Sequence, residues 1–429
     1  MKTKFVSLYP ENTARHEKRY SFIRSEFASL FGKEPTRFFS APGRTEVCGN
    51  HTDHNHGKVA AAAVNLDIIA AVVPTDDGII SVKSEGFDKI DVVDTSDLTV
   101  HEEELTHSAA LIRGVCAGLK ARGYNVGGFM AYTSSDVLKG SGLSSSAAFE
   151  VLIGEIINGL YCDGRVSAVE IAQIAQYAEN VYFGKPSGLM DQMASSVGGF
   201  ISIDFADTDK PVIESMSFDL AANDCHLCII DAKGSHAELT PEYAAVPQEM
   251  KSVAAVLGKG YLRELTRQDV FDNMSEIREK CGDRAVLRAL HFFDENDRVD
   301  ALCAALKSGD FESFLKTVTA SGESSYMYLQ NVFAASQPSQ QSMSLALYLC
   351  QKLLENADPH AFRVHGGGFA GTVQAFVPTN ALEGFKKGIE QVFGEDSCHV
   401  LNIRPVGGTE VELQTHSKVK YHKNGDEPA

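Results

Sequence analysis

A long run of glycine and serine near the middle of this chain limits the folds open to it. The run, residues 140–148, reads Gly-Ser-Gly-Leu-Ser-Ser-Ser-Ala-Ala, after a strand-like segment (126–132) and before a helix-like one (147–160). Small residues let a backbone approach a ligand closely, and the first N–H groups of a helix lack intrahelical partners. The helix dipole adds about half a positive charge there. The run therefore predicts a phosphate-binding turn between a strand and a helix, and a merely serine-capped helix is its alternative.

The length of the chain favours two domains. Its 429 residues suit two cores of about 200 residues each. A polar, turn-rich stretch at 206–211 indicates a boundary near residue 215, which gives an N-terminal domain of 1–215 and a C-terminal domain of 216–429. Strands and helices do not alternate regularly enough for a doubly wound sheet, so the fold class is α+β.

The net charge and the cysteine content limit the classes of binding partner and the cellular compartment that we expect for this protein. A formal charge of −18 does not attract polyanions, so a phosphate site must be built locally and nucleic acid is not expected. The most apolar stretch, 59–73, is too short and too polar at Asn65 and Asp67 to span a bilayer. Nine scattered cysteines indicate reduced thiols. We expect a cytoplasmic monomer whose partners are small molecules.

The segment 41–57 concentrates polar side chains between turn glycines, Arg44, His51 and Asp53 among them. A polyhydroxylated ligand needs such a set, because each hydroxyl wants a donor and an acceptor. A polar surface loop is one alternative. A metal site is another, with possible ligands His51, Asp53, His54 and His56.

Two later segments carry further candidates. Glu179 is expected near a helix C-terminus, where the dipole disfavours an anion, which suggests a metal ligand. Asp191 follows a Pro/Ser/Gly turn, and a helix-stabilising acid is its alternative reading. Ser146 lies where a hydroxyl could reach Mg²⁺. The glycine loop 366–371 predicts either a lid near phosphates or a tight connection between strands.

These four segments together resemble the galactokinase branch of the GHMP small-molecule kinases. Residues 41–57 are similar to its signature P-G-R-[VT]-x-[LV]-x-G-E-H-T-D-Y-N-x-G, and residues 140–148 to its G-x-G-L-S-S-S-A phosphate loop. Residues 179–192 are similar to its A-E-x-x-[FY]-x-G-x-x-C-G-[IL]-M-D-Q segment, and residues 366–371 to its third glycine motif. The order and spacing of the motifs agree as well.

The resemblance implies an N-terminal ribosomal S5 domain 2-like domain, a C-terminal ferredoxin-like domain and an active site between them. It implies transfer of the γ-phosphoryl group of ATP to the anomeric 1-hydroxyl of a hexose. Asp191 would be the base and Arg44 would stabilise the transition state and lower the pKa around Asp191. Ser146 and Glu179 would hold Mg²⁺.

The remaining implied roles concern binding. Residues that match sugar-contacting positions are Asn50, His51, Asp53, Gly188 and Tyr243. Residues that would contact ATP are Ser84 and the phosphate loop Gly140, Ser141, Gly142, Leu143, Ser144, Ser145 and Ser146.

Departures from the family pattern bear on the choice of sugar. Asn50 stands where the family usually has Glu, His54 replaces the usual Tyr, and Ser187 replaces the usual Cys. The resemblance places position 50 at the 6-hydroxyl, so a neutral residue would tolerate a hexuronic acid, as the similar plant galacturonate kinases do. A galactose 1-kinase, a 1-kinase for a related sugar such as galacturonate, and a non-catalytic sugar and ATP sensor therefore stay open.

Overall fold

Two β-sheets, each covered by helices, make up the architecture. The computed structural model describes residues 2–10, 12–137, 142–216, 218–234 and 239–413. The strands are β1 (Lys2–Lys4), β2 (Arg37–Cys48), β3 (Lys58–Pro74), β4 (Ile79–Ser84), β5 (Ile90–Asp94), β6 (Phe129–Ser135), β7 (Phe200–Asp204), β8 (Val212–Met216), β9 (Cys225–Asp231), β10 (Ala361–His365), β11 (Thr372–Pro378), β12 (Cys398–Leu401) and β13 (Thr409–Glu412).

The α-helices are α1 (Phe5–Leu8), α2 (Thr13–Phe31), α3 (Ser108–Ala121), α4 (Ser145–Tyr161), α5 (Ala168–Tyr177), α6 (Met190–Val197), α7 (Thr240–Val256), α8 (Arg267–Asp272), α9 (Met274–Cys281), α10 (Asp283–Ser308), α11 (Phe311–Ser324), α12 (Ser342–Leu354) and α13 (Leu382–Phe393). Two π-helical segments, Ala178–Phe183 and Ser325–Leu329, extend α5 and α11. No helix within the described ranges is both long and apolar enough to cross a membrane.

Strand β3 is the centre of the first sheet, whose path is β1-β13-β2-β3-β6-β4-β5, with β7 paired to β3 and β8 paired to β7. Its alanines, residues 60–63, are fully buried. A continuous apolar run of this kind is typical of a strand covered on both faces, and small side chains let α4 and α6 pack close to the sheet. This packing brings the N-terminal ends of both helices next to strand β2.

The second sheet is antiparallel, with the order β10-β11-β9-β12. One face shares the main core with α10 and α11, and the other packs on α12 and α13. The two-sheet arrangement confirms the predicted α+β class. The chain passes from the first sheet to the second between Met216 and Cys225, yet β13 returns to the first sheet beside β2, which the division at residue 215 did not foresee.

The prediction that Gly43 is a turn glycine was wrong, because it lies inside a strand. Strand β2 continues through Pro42 and Gly43 to Cys48, with register shifts against β3 between Pro42 and Arg44 and between Glu46 and Cys48. A bulge accepts an extra residue and re-aims the side chains beside it. The two irregularities therefore flank Arg44 and Glu46, which both belong to the site described next.

Candidate active site

An ion pair between Arg44 and Asp191 joins two of the segments singled out in the sequence. Arg44 Nε donates to Asp191 Oδ1 at 2.7 Å. Arg44 comes from β2, and Asp191 from the first turn of α6, where the helix dipole favours a carboxylate. The arginine side chain is 7% exposed and that of the aspartate 28%, so the pair is shielded but reachable from one side.

The phosphate loop contacts the same pair. The Ser144 hydroxyl donates to Asp191 Oδ2, and Arg44 Nη1 donates to the carbonyl of Gly142. Burial raises the pKa of Asp191, but the charge and hydrogen bond of Arg44, with the Ser144 hydroxyl, outweigh it and lower the pKa below its usual value. Asp191 is therefore ionised at neutral pH and keeps lone pairs on both oxygens, because a carboxylate has about four acceptor sites.

The backbone of the loop is held tightly against β2. The Arg44 N–H donates to the Leu143 carbonyl at 3.0 Å, and a Cβ on Gly43 would lie 2.9 Å from that oxygen, so only glycine allows this approach. Ser144 adopts left-handed backbone angles and precedes α4, which begins with Ser145 and Ser146. The predicted loop residues Gly140 and Ser141 lie outside the described residues.

Glu179 and Ser146 lie together, as the resemblance implied. Glu179 Oε1 accepts hydrogen bonds from Ser146 Oγ at 3.1 Å and Lys185 Nζ at 2.8 Å. Glu179 Oε2 accepts from Ser187 Oγ at 2.6 Å and Gln192 Nε2 at 2.8 Å. Glu179 belongs to a π-helical segment, a feature often found at functional sites. A hydroxyl and a carboxylate oxygen are ligands that Mg²⁺ accepts, although the described residues contain no cluster of three or more acidic, His or Cys ligands.

A cavity of about 1330 Å³ opens beside these groups. Its walls come from both sheets: Ser84, Thr133, Ser145 and Ser146 belong to the first half of the chain, and His399 to β12 of the second sheet. The hydroxyls of Ser84 and Thr133 are 3.0 Å apart. A site of this size, walled by hydroxyls and apolar side chains at the N-terminus of α4, can take a nucleotide with its phosphates towards Ser146.

The predicted sugar-binding residues lie outside the lining of this cavity. Gly188 approaches Asp53 so closely that a Cβ would be 1.8 Å from Asp53 Oδ2. The ring of Tyr243 lies against Gly367, and its hydroxyl donates to the Gly368 carbonyl at 2.7 Å. The third glycine motif therefore serves as a wall beside the sugar-side residues.

His51 contacts the same loop. Its Nε2 lies 2.9 Å from the Gly367 carbonyl, which requires the ring nitrogen to carry a proton. Burial and the neighbouring His54 lower the pKa of His51 to about 4. The imidazole is therefore neutral at physiological pH.

The side chain of Asn50 is enclosed by protein. Its Nδ2 donates to Glu46 Oε1 at 2.9 Å and to the Gly366 carbonyl at 2.8 Å. Its Oδ1 accepts from Asn331 Nδ2 at 2.8 Å and Ser325 Oγ at 3.3 Å. Both amide hydrogens and both lone pairs are thus occupied, and Asn50 is 1% exposed. A direct contact between Asn50 and a sugar has no support in this geometry.

Sequence reasoning assigned no role to several residues that shape the site, namely Glu46, Lys185, Gln192, Asn331 and Arg363. Arg363 Nη2 donates to Glu46 Oε1 at 3.0 Å, and Arg363 is fully buried in β10. A lone charge in an otherwise apolar strand was a signal that could have found Arg363. Glu46 gave no such signal, since it occupies a variable position of the signature.

Comparisons with known proteins agree with this geometry. Residues 25–74 match the galactokinase galactose-binding signature, and residues 110–199 match the GHMP kinases N terminal domain. A Streptomyces coelicolor galactokinase is 32% identical over 374 residues, which cover 86% of this chain and 92% of that protein. A Lacticaseibacillus casei galactokinase is 30% identical over 308 residues, covering 70% and 78%.

Solved structures show the same fold. The Lactococcus lactis galactokinase complexed with galactose superimposes with a TM-score of 0.76 at 25% identity, covering 91% of this chain and 99% of that one. The Methanococcus jannaschii mevalonate kinase reaches a TM-score of 0.60 at 15% identity, covering 86% and 98%. The latter likeness concerns the fold alone.

Proposed function

This chain belongs to the galactokinase family of the GHMP kinases, and on that premise we propose that it transfers the γ-phosphoryl group of ATP to the anomeric 1-hydroxyl of galactose. The observation that carries the proposal is the Arg44–Asp191 pair, which touches the phosphate loop through Gly142 and Ser144. The same loop leads into Ser145 and Ser146, which line the nucleotide-sized cavity, and its Gly142 lies next to Gly366 of the glycine motif that the proposed sugar contacts touch. Both substrates can therefore meet at one carboxylate.

Asp191 is the base in this proposal. Its carboxylate accepts the proton of the 1-hydroxyl as that oxygen bonds to phosphorus and the bond to the β-phosphate oxygen breaks. The low pKa that Arg44 imposes limits the strength of the base. Phosphoryl transfer passes through a loose transition state, so positioning and charge neutralisation matter more than a strong base.

Arg44 and the N-terminus of α4 provide the positive charge. The guanidinium is fixed by Asp191 and the Gly142 carbonyl, and it can stabilise charge on the transferring group without reorganising. Unpartnered N–H groups at the start of α4 would bind the phosphates, together with Ser145 and Ser146. Ser84 also lines this cavity and is the proposed contact to the nucleotide.

Ser146 and Glu179 are the proposed magnesium ligands, and a bound metal ion would replace one of the four donors that fill the Glu179 carboxylate. When bound, Mg²⁺ would neutralise charge on the β- and γ-phosphates. Lys185, Ser187 and Gln192 fix the direction of the Glu179 carboxylate. The cation of Lys185 also partly neutralises that carboxylate, so most ligands of the metal would be water and phosphate oxygens.

Asp53, His51, Gly188 and Tyr243 are the proposed sugar contacts. Asp53 can accept from hydroxyls, and Gly188 packs directly against that carboxylate and so fixes its position. The names of the relatives favour galactose over galacturonate.

Nine free thiols, most of them buried, suit a reducing compartment such as the cytoplasm.

The test is a panel of sugars with ATP and Mg²⁺, in which ADP release is measured and the phosphorylated carbon is assigned by phosphorus NMR. We expect galactose 1-phosphate, with kcat/KM for galactose above that for every other hexose and for galacturonate. Negligible turnover of galactose beside strong turnover of another sugar would overturn the proposal.

A further inference from the structure

A second carboxylate, Glu46, lies at the site in a position that neither the signature nor the catalytic pair explains. Glu46 follows Arg44 by two residues on β2, and its side chain is 5% exposed. Its Oε1 accepts from Arg363 Nη2 at 3.0 Å and Asn50 Nδ2 at 2.9 Å. Its Oε2 accepts no hydrogen bond from the described part of the chain and is not sealed off as a buried atom.

The surroundings of Glu46 place it on the sugar side. Burial raises its pKa, Arg363 and Arg44 counteract the rise, and the Asp53 carboxylate adds to it. Hydrogen bonds support this position: Asn50 bonds both Glu46 and the Gly366 carbonyl, and the adjacent Gly367 carbonyl contacts His51, a proposed sugar contact. A carboxylate with one oxygen held by two donors and the other oxygen unengaged is fixed in direction and has spare acceptor capacity.

Asn50, unlike Glu46, has no hydrogen-bonding site left for a ligand. All four of its hydrogen-bonding sites are taken by Glu46, Gly366, Ser325 and Asn331. It ties the signature segment to the third glycine motif and to the end of α11, but it has nothing left for a ligand. An amide at position 50 and a carboxylate at position 46 are therefore coupled by one hydrogen bond.

We propose that Glu46 supplies the carboxylate that selects the sugar in this chain, and that Asn50 is a positioning residue that aims it. The inference rests on the proposed function. A carboxylate accepts a hydrogen bond from a neutral hydroxyl and repels the carboxylate of a uronic acid. The substitution at position 50 consequently does not make the pocket neutral, and the chain discriminates against hexuronates.

The decisive variant is Glu46→Gln, and its readout is the ratio of kcat/KM for galactose to kcat/KM for galacturonate. Loss of the charge removes both the favourable hydroxyl contact and the repulsion, so we expect the ratio to fall about 10- to 100-fold. A ratio unchanged within about threefold would overturn the proposal. The ratio is insensitive to partial unfolding, because both sugars report on the same folded fraction.

A matched control is Glu410→Gln. Glu410 is also a mostly buried carboxylate paired with an arginine, Arg37, at 2.7 Å, but it lies on β13, outside the site. We expect it to lower the melting temperature, as Glu46→Gln does, and to leave the sugar ratio unchanged.

The coupling between the two positions is tested by Asn50→Glu. Alone, it places a second carboxylate next to Glu46 and removes the donor to Gly366, so we expect KM for galactose to rise at least tenfold. Combined with Glu46→Gln, it moves the single carboxylate to the usual family position, and we expect most of that loss to be recovered. A double variant no better than Asn50→Glu alone would overturn the coupling.

Failure of this proposal and failure of the proposed function give different results. If the wild-type protein phosphorylates galactose but Glu46→Gln keeps the wild-type sugar ratio, only the role of Glu46 is wrong. If the wild-type protein does not phosphorylate galactose, the proposed function itself is wrong.

Discussion

Arg44 Nε and Asp191 Oδ1 are 2.7 Å apart although the two residues are separated by 147 positions in the chain. The contact exists because α6 packs on β2 and β3, which brings the first turn of the helix to a bulged part of the strand. The ion pair therefore fixes Asp191, the proposed proton acceptor, in position relative to the positive charge of Arg44.

Replacing Asp191 by Asn is expected to lower kcat by at least about 100-fold while ATP binding is preserved. An amide nitrogen cannot accept the hydroxyl proton, and general-base catalysis typically contributes 10²- to 10⁴-fold. Steady-state rates and calorimetric titration with ATP measure the two effects. Asp204→Asn is a suitable control, because Asp204 is similarly exposed and paired with Arg263. A wild-type rate in Asp191→Asn would refute the role of the base.

The decrease of kcat/KM at low pH, the acid limb of the pH profile, is expected to follow the protonation of the Asp191 carboxylate. Since Arg44 lowers the pKa of Asp191, the wild-type limb should fall below the usual carboxyl range. Arg44→Met removes that charge, so the limb should move to higher pH as the overall rate drops. Rates from about pH 3 to pH 8 in a constant-ionic-strength buffer test this. A limb that stays in place in Arg44→Met would show that another group titrates.

Removal of the Glu179 carboxylate is expected to weaken the binding of magnesium together with ATP. Glu179→Gln keeps the acceptor of Ser146 but loses the charge, so at least tenfold more Mg²⁺ should be needed for half-maximal rate. Stabilisation of the protein by Mg²⁺ with ATP, measured as a melting-temperature shift, provides a readout independent of turnover. Glu312→Gln, an exposed carboxylate on α11, should leave the Mg²⁺ requirement unchanged. An unaltered requirement in Glu179→Gln would exclude the residue as a ligand.

Replacing Gly188 by Ala is expected to weaken the binding of the sugar and to leave the binding of ATP nearly unchanged. The added Cβ would lie 1.8 Å from Asp53 Oδ2, so Asp53 must move. We expect KM for the sugar to rise at least tenfold and KM for ATP to change by less than about twofold. Gly384→Ala is the matched control: it meets no atom within 4 Å, lies in α13, and should stabilise the helix by about 0.5–1 kcal/mol. Equal effects on both KM values would contradict the assignment of Gly188.

Glu295 is expected to support the signature segment in a pH-dependent way. Its Oε1 accepts the N–H of Gly49 at 3.0 Å. Burial opposes ionisation, but His291, Arg363 and Arg298 outweigh it and lower the pKa to about 2. A lowered pKa means that the stabilisation is complete above the unfolded value, about 4.3, and disappears as pH falls towards 2.

Denaturant unfolding of Glu295→Gln and wild type between pH 7 and pH 3 measures this effect. The difference in unfolding free energy should be on the order of 3 kcal/mol at pH 7 and shrink as the pH is lowered. Glu323→Gln, which removes an exposed carboxylate on α11, serves as a control for changes in net charge. A difference that does not depend on pH would show that Glu295 acts through packing alone.

Local structure was predictable where its causes lie within a few residues. The helix predicted over 147–160 is present as α4, Ser145–Tyr161, and a capping box of Ser167 and Glu170 forms at the start of α5, because helix ends depend on neighbouring side chains. The course of β2 was not predictable in this way. Pro42 and Gly43 are turn residues by composition, and only pairing with β3 and close packing on Leu143 keep them in a strand.

By itself, the sequence determined the α+β class, the order of the four motifs and, through them, the kinase family, because short patterns of glycine, serine and charged residues encode turns and helix ends. Tertiary structure alone decided that the Ser144 hydroxyl bonds Asp191, that Asn50 is enclosed by protein, and that the Glu46 carboxylate is held by Arg363 and Asn50. The reason is physical: hydrogen bonds and ion pairs require approach to about 3 Å. Residues such as Asn50 and Asn331, 281 positions apart, meet only when the whole chain has folded.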